Sequence, residues 1–499
     1  MLPYEYVEEP TAAPVTAYAG LFPYLDLACV LGVLQAVDEQ VKVCGEQGWR
    51  DRQHVLALVL LNLAGGECIE DIRLLEADAG LCRLVREAEK YGLSRPERRD
   101  LQRRFRKGRE RAFPSPTRLY EWLDEFHDES QEQLRRQGKA FIPAKNAHLR
   151  GLEGVNRALV AGVQRHAPAS EATLDIDATL QETHKQQALY CYEGYRAYQP
   201  INVYWAQTGL VVHSEFRDGN VPAGHEVLRI LKESVAALPA GIEQIRVRMD
   251  SAGYQHEVLR FCATGDEGRR PVIEFTVSND MTAEFREAAR RVPEGEWQPL
   301  ARKRGEPAQQ WAEVVYVPNA IAHSKDFPEY RYLAIREELE QGELPGMEDS
   351  QQQELPFATV VMGKNTYRLR GIVTNREGDG AALIRWHYLR CGKSEEAHAM
   401  LKRDLAGGRF PSGKFGANAA WWALVVLAYN LHMALQKLAL PDKLKGKRLK
   451  RIRFALVNSA GRVVERGRQL FVRLARHHPA LAWLIEMRRK LRALSPVPA

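Results

Sequence analysis

Three acidic residues occupy places where a carboxylate has chemistry open to it. Asp177 lies in the run Leu174-Asp175-Ile176-Asp177-Ala178-Thr179. Its alternation predicts a strand with Asp175 and Asp177 on one face and Leu174, Ile176 and Ala178 on the other. Two carboxylates on one face repel unless a cation or solvent compensates them. Asp250 ends the β-rich run Ile245-Arg246-Val247-Arg248-Met249 and leads into Ser251-Ala252-Gly253. Carboxyl ends of strands in α/β sheets are where ligands gather. Glu395 belongs to Lys393-Ser394-Glu395-Glu396-Ala397-His398; on a helix, Tyr388, Glu395 and Lys402 would share one face at a spacing of seven. Taken singly, each acid also has a structural reading: an edge strand facing solvent, a helix-capping aspartate, and an ordinary polar helix face, with Glu396 competing for the third place.

Taken together, an all-oxygen carboxylate set suits Mg2+ or Mn2+. Two such ions held roughly 4 Å apart activate an attacking hydroxyl and stabilise the leaving oxygen of a phosphodiester. One apparatus would then use water to nick DNA and the freed 3′-hydroxyl to join it elsewhere, without a separate general base.

The elements that must position these acids follow from hydrophobic periodicity. Residues 15–90 read as helices, among them the apolar run 54–66, and Ser115 or Thr117 caps another. Short β-rich runs at 172–180, 201–209 and 209–219 are followed by a helix at 225–238, a strand at 242–251, a second helix and a strand at 271–280. Strands in a meander, then strand-helix-strand-helix-strand, imply a mixed α/β sheet with helices on its faces. From 283 to 380 the pattern is β-rich with an exposed loop at 342–354. Residues 383–408 read as one helix and 420–440 as a buried apolar helix. The domains expected are therefore a helical one at 1–150, a core at 165–282, a β-rich insertion at 283–380, a second core part at 381–440 and a basic region at 441–499.

The chain has 499 residues, 45% of them hydrophobic and 27% charged, enough for more than one domain. Lys and Arg number 71 against 64 for Asp and Glu, a formal charge of +7, which fits a polyanionic partner without requiring one. The positive charge clusters at 97–112, at 443–453, at 462–474 and around Arg488, Arg489 and Lys490. One cluster is usually a solvated face; four favour DNA. The seven cysteines include no CxxC pair, which argues against a zinc site or disulfide scaffold and for buried thiols in a reducing compartment. The acidic start has no signal-peptide pattern, and the most apolar stretches are too short or are interrupted by Asp26. A cytoplasmic protein is expected.

With these residues in view, the sequence resembles the DDE transposases of bacterial insertion sequences, in the IS4-like superfamily and most closely the IS1380 family. The resemblance rests on Leu174–Thr179, on Arg248-Met249-Asp250-Ser251-Ala252-Gly253 and on a Tyr-x2-Arg-x3-Glu-x6-Lys element carried by Tyr388, Glu395 and Lys402. The arginine departs from that element: Cys391 holds its place and Arg390 precedes it, a displacement of about 100° on a helix. Further likeness lies in Ala64–Asp71, Pro114–Thr117, Tyr195–Pro200, Thr208-Gly209, Arg217–Asn220, Thr374-Asn375 and Phe415–Asn418, spanning about 54–435. The interval between Asp250 and Glu395 suits the insertion that such enzymes carry.

The resemblance implies an RNase H-like catalytic core with a β-rich insertion, flanked by a helical N-terminal domain for DNA-end binding and dimerisation and by a basic helical C-terminal region. It implies Asp177, Asp250 and Glu395 as catalytic metal ligands for two Mg2+ (or Mn2+) ions. Tyr388, Arg390 and Lys402 would contact the DNA backbone. The implied partners are double-stranded DNA, as terminal inverted repeats and as target, and a second copy of the chain in a synaptic homodimer; the implied activity is cut-and-paste transposition. A metal-dependent nuclease without strand transfer and a DNA-binding relic are the alternatives.

Overall fold

The apolar run after Arg50 folds as α1 (Asp51–Ala64), buried along its length except at its last residue. Gly65 ends it at φ 99°, a left-handed conformation that a side chain would strain. α1 and the longer α2 (Ala147–His166) belong to a helical N-terminal region that shares one core with much of the central sheet and the C-terminal helices. The computed structural model describes residues 14–105, 109–265, 272–301, 308–319, 328–339, 358–467 and 469–495; the loop expected at 342–354 lies outside them. Among the described residues no single helix is long and apolar enough to cross a membrane, although the bent pair Ala19–Val30 and Val33–Gln40 passes by length and composition together.

The alternation around Asp177 builds β1 (Glu171–Ala178), followed by β2 (Ile201–Trp205) and β3 (Leu210–Glu215) as an antiparallel meander. The turn between β2 and β3 closes on Gly209 at φ 73°. After α3 (Val227–Ala237) comes β4 (Gln244–Met249), parallel to β1; after α4 (His256–Thr264) comes β5 (Glu274–Ser278), parallel to β4. The β-rich stretch expected as an insertion supplies β6 (Gln298–Leu300), β7 (Gln309–Val314), β8 (Arg331–Glu338), β9 (Thr359–Met362) and β10 (Asn365–Thr374). These strands continue the same sheet. β10 pairs antiparallel with β5 through Ile372–Ser278, Val373–Val277 and Thr374–Thr276. Among the described residues the order is β3-β2-β1-β4-β5-β10-β8-β7-β6, with β9 beside β10.

The segment expected as one helix over 383–408 is broken. α5 (Gly380–Tyr388) stops, Gly392 turns the chain at φ 82°, and α6 (Lys393–Ala399) runs on into a wider π-helical turn at Met400–Asp404. The spacing of seven from Tyr388 to Lys402 therefore does not follow a single helix face. α7 (Phe415–Leu438) is the buried apolar helix read from the sequence, packed on α1, α2 and β3. Its start is a close contact: a Cβ on Gly416 would lie 2.1 Å from the Phe126 carbonyl oxygen. Because that neighbour is backbone, Gly416→Ala is expected to cost about 1–3 kcal/mol, read as a lowered denaturant midpoint.

The C-terminal region is helical at Leu449–Ile452 and Ala480–Leu494, with a hairpin of Gly461–Arg466 and Gln469–Arg473 between. The basic cluster read at 462–474 lies largely on this hairpin, where β-branched Val463, Val464 and Val472 favour strand over helix. Val15–Thr16 adds a third strand, and Arg488 of the last helix pairs with Asp26.

Candidate active site

β1 and β4 are parallel neighbours, so their carboxyl ends lie side by side and present Asp177 and Asp250 together. Both line one small cavity with Ile176, Ala178, Met249 and Gly253. The capping role weighed for Asp250 is also real: its carboxylate accepts from the Ala252 amide at 3.0 Å. One oxygen of Asp250 thus fixes the turn after β4.

Asp177 is partly buried, and burial pushes its carboxyl up to about 6 from 3.8. Arg390 opposes that rise, while the charges of Asp250 and Asp175 add to it. The arginine at the displaced position therefore acts on the acid pair, and its own Nε is buried without a hydrogen-bond partner. From α6, His398 brings Nδ1 to 3.9 Å from the Asp177 carboxylate and sets its ring edge-on to Tyr204 at 5.6 Å. Burial lowers His398 to about 4. The imidazole is neutral at pH 7, and at that distance it is neither an ion pair nor a hydrogen bond.

Lys402 reaches the strand end from the π-helical turn, its ammonium donating to the Leu180 carbonyl at 2.7 Å. Burial and the neighbouring Arg403 pull its pKa down, and Asp177 pulls it up. Tyr388 ends α5 and packs on the small core around Trp311 and Ile384. Glu395 is exposed in the first turn of α6, three residues before His398 and so on a similar side. Glu396 faces a different space, a cleft it lines with Tyr429. The fold thus brings Asp177, Asp250, Arg390 and Lys402 to one strand end, but among the described residues no three His, Cys, Asp or Glu side chains gather as a metal-binding group.

A charged layer that sequence reading did not foresee underlies these residues. Arg248 donates to both oxygens of Asp175, at 2.6 and 2.7 Å, and to the Trp386 carbonyl at 2.8 Å. Its guanidinium and that of Arg376 lie over the Trp386 ring, at 5.0 and 4.4 Å from the centroid. Asp175 and Arg248 are each 3% exposed. Asp175, Arg248 and Trp386 each precede a candidate site residue by two positions: Asp177, Asp250 and Tyr388. The layer fastens β1, β4 and α5 to one another. Asp175, left open as a possible metal ligand, has both oxygens engaged by Arg248. The available signal was the repeated offset of two, which becomes informative once β1 and β4 are known to be parallel and in register.

Other residues singled out in the sequence do structural work. Asp218 accepts from buried Arg135 at 2.6 Å, joining the N-terminal helices to the sheet. Asn375 accepts from the Phe275 amide and donates to the Ile273 carbonyl. Asn418 donates to the Tyr198 hydroxyl and the Ser412 carbonyl.

The family described as "Transposase DDE domain group 1" matches residues 50–496. No curated protein matches the chain. Among solved structures it is similar to a piggyBac transposase synaptic complex with hairpin DNA, seen by cryo-EM, at 8% identity and a TM-score of 0.42, covering 96% of this chain and 86% of that one.

Proposed function

Because the chain belongs to this DDE transposase family, of the IS1380 type, we propose that it cuts DNA at the terminal inverted repeats of its element and joins the 3′-hydroxyl ends to target DNA. The observation that carries the reading is Asp177 beside Asp250 at adjoining strand ends, with burial and acidic neighbours raising the Asp177 carboxyl. The donor set is all oxygen, which fits Mg2+ or Mn2+. Asp177, Asp250 and Glu395 would hold two ions, which when bound would activate the attacking hydroxyl and stabilise the leaving oxygen.

The protein's own residues have distinct tasks in this proposal. Asp250 keeps one oxygen on the Ala252 amide, so the turn after β4 fixes the direction of its carboxylate. Arg390, Lys402 and Tyr388 contact the phosphate backbone, the two cations standing close enough to Asp177 to act on its charge. The strand order β3-β2-β1-β4-β5, antiparallel then parallel, supports an RNase H-like core at 165–282 and 381–440. The helical region at 1–150 would bind DNA ends and dimerise, and the basic region at 441–499 would add phosphate contacts. Double-stranded DNA and a second copy of the chain are the partners.

The test is incubation of the purified chain with Mg2+ or Mn2+, labelled DNA bearing the element's own ends, and a target plasmid. Excised and joined products that vanish in Asp250→Asn and Glu395→Gln are expected. Cleavage without joining would make the chain a nuclease; specific binding without cleavage under either metal would make it a relic.

A further inference from the structure

Behind α6, away from the strand-end cavity, lies a cleft of about 750 Å³ walled by the β2–β3 turn, α6 with its π-helical turn, α7 and the segment 446–453. Five cations line it: Lys393, Arg403, Lys447, Arg448 and Lys450. Among the described residues none of the five has an ion-pair partner, whereas the sixth lining cation, Arg453, is spent on the carbonyls of Asn62, Leu63 and Asp404. Of the acids lining the cleft, Asp175 is held by Arg248 and Glu67 lies 3.5 Å from Arg409. Against the five cations stand two further lining acids, Glu396 and Asp404, so the balance of charge is positive.

The interior offers hydrogen bonds as well as charge. The Ser394 hydroxyl is buried and has no hydrogen-bond partner, and Ser394 lines the cleft. A buried polar atom without a partner is costly in a free protein, and a ligand that satisfies it recovers that cost. Unpaired cations around an unsatisfied hydroxyl suit a phosphodiester, whose oxygens accept from both.

We propose that this cleft binds a DNA backbone strand, so that α6 is gripped on two sides: by the scissile region at the strand end, and by a second stretch of DNA along Lys393, Arg403 and the 447–450 segment. The proposal rests on the reading of the chain as acting on DNA, and it adds a path that the three acids do not define. Ser394 adjoins Glu395, so strand occupancy of the cleft bears directly on the placement of the third acid.

The test measures binding without divalent metal, using the full chain and a labelled duplex bearing the element's own end, across a salt series. In the triple variant Lys447→Gln/Arg448→Gln/Lys450→Gln the slope of log K against log [salt] should fall in magnitude by about 0.9 for each phosphate contact removed. The three side chains are exposed, so the fold should survive; an unchanged thermal midpoint checks it. Lys447→Arg/Lys450→Arg should retain the parental slope. Ser394→Ala should bind several-fold more weakly while the free protein is no less stable, since the hydroxyl has no partner to lose. If the unaltered chain cuts its ends and the triple variant keeps the parental slope, the cleft proposal falls and the functional reading stands. If the unaltered chain neither binds nor cuts that DNA, both fall.

Discussion

The Asp177→Asn protein is expected to be inert and, without metal, more stable than the parent chain. In the proposed two-ion site, loss of one carboxylate would remove charge stabilisation that the transition state needs, so strand cleavage should fall by at least on the order of 10^3-fold. The stability gain has a separate origin. Folding raises Asp177 from 3.8 to about 6 through burial, with Arg390 opposing and Asp250 and Asp175 adding. A carboxyl with a raised folded pKa is penalised only when ionised. Below pH 3.8 the group is protonated in both states and folding bears no penalty. The penalty grows as pH rises from there to about 6 and is complete above it. The shift corresponds to about 2–3 kcal/mol, which asparagine avoids at neutral pH. Urea unfolding in chelator should show the variant's advantage at pH 8 and much less of it at pH 4. Adding Mg2+ should then stabilise the parent and leave the variant nearly unmoved, because a ligand stabilises only the state that binds it. A variant no more stable than the parent at pH 8 would contradict the buried-charge account.

Arg248→Met should destabilise the fold more than Gly416→Ala. It leaves Asp175 buried, charged and without its two guanidinium bonds; breaking a buried pair in this way costs about 3–5 kcal/mol. Replacing both members, as Asp175→Leu/Arg248→Met, should restore most of the stability, because two apolar groups of similar size carry no orphaned charge. Activity should not return with it. The Trp386 carbonyl loses the donor that ties α5 to β4, and a DNA-cleaving rate reduced by about 10–100-fold is expected, the range seen when groups supporting metal ligands are removed. Urea denaturation and single-turnover cleavage on the same samples separate the two effects. Recovery of rate together with stability would show that the layer serves folding alone.

The strand around Asp177 was legible because Leu174, Ile176 and Ala178 alternate with polar residues, and that alternation survives in the fold. The helix–strand succession from 225 to 280 was legible for a similar reason, since its apolar periods change cleanly from one element to the next. Residues 283–380 were read as β-rich, but nothing in their own pattern says which strand they join; β10 meets β5 across about a hundred residues of chain. The break in the helix over 383–408 turns on Gly392 alone, and a lone glycine inside a periodic pattern is a weak stop signal. In the candidate site, the places of Asp177 and Asp250 at strand ends were legible. The partnership of Asp175 with Arg248 was not, because it depends on the register between two distant strands. Likewise the Lys402 bond to Leu180 depends on a π-helical turn that has no sequence pattern of its own.

The three-stranded arrangement that joins Val15–Thr16 to the hairpin at 461–473 also sets a timetable for synthesis. Residues 15 and 16 cannot pair until residues 461 and 462 have been made. The Phe22–Val30 helix packs against both α7 and Ala480–Leu494, so in the nascent chain it waits, with apolar faces uncovered, until residues 480–494 have been made. A chain that stops before Ala480 therefore lacks more than that helix: it lacks the cover for Phe22–Val30. Products truncated there should be recognised as unfolded and cleared.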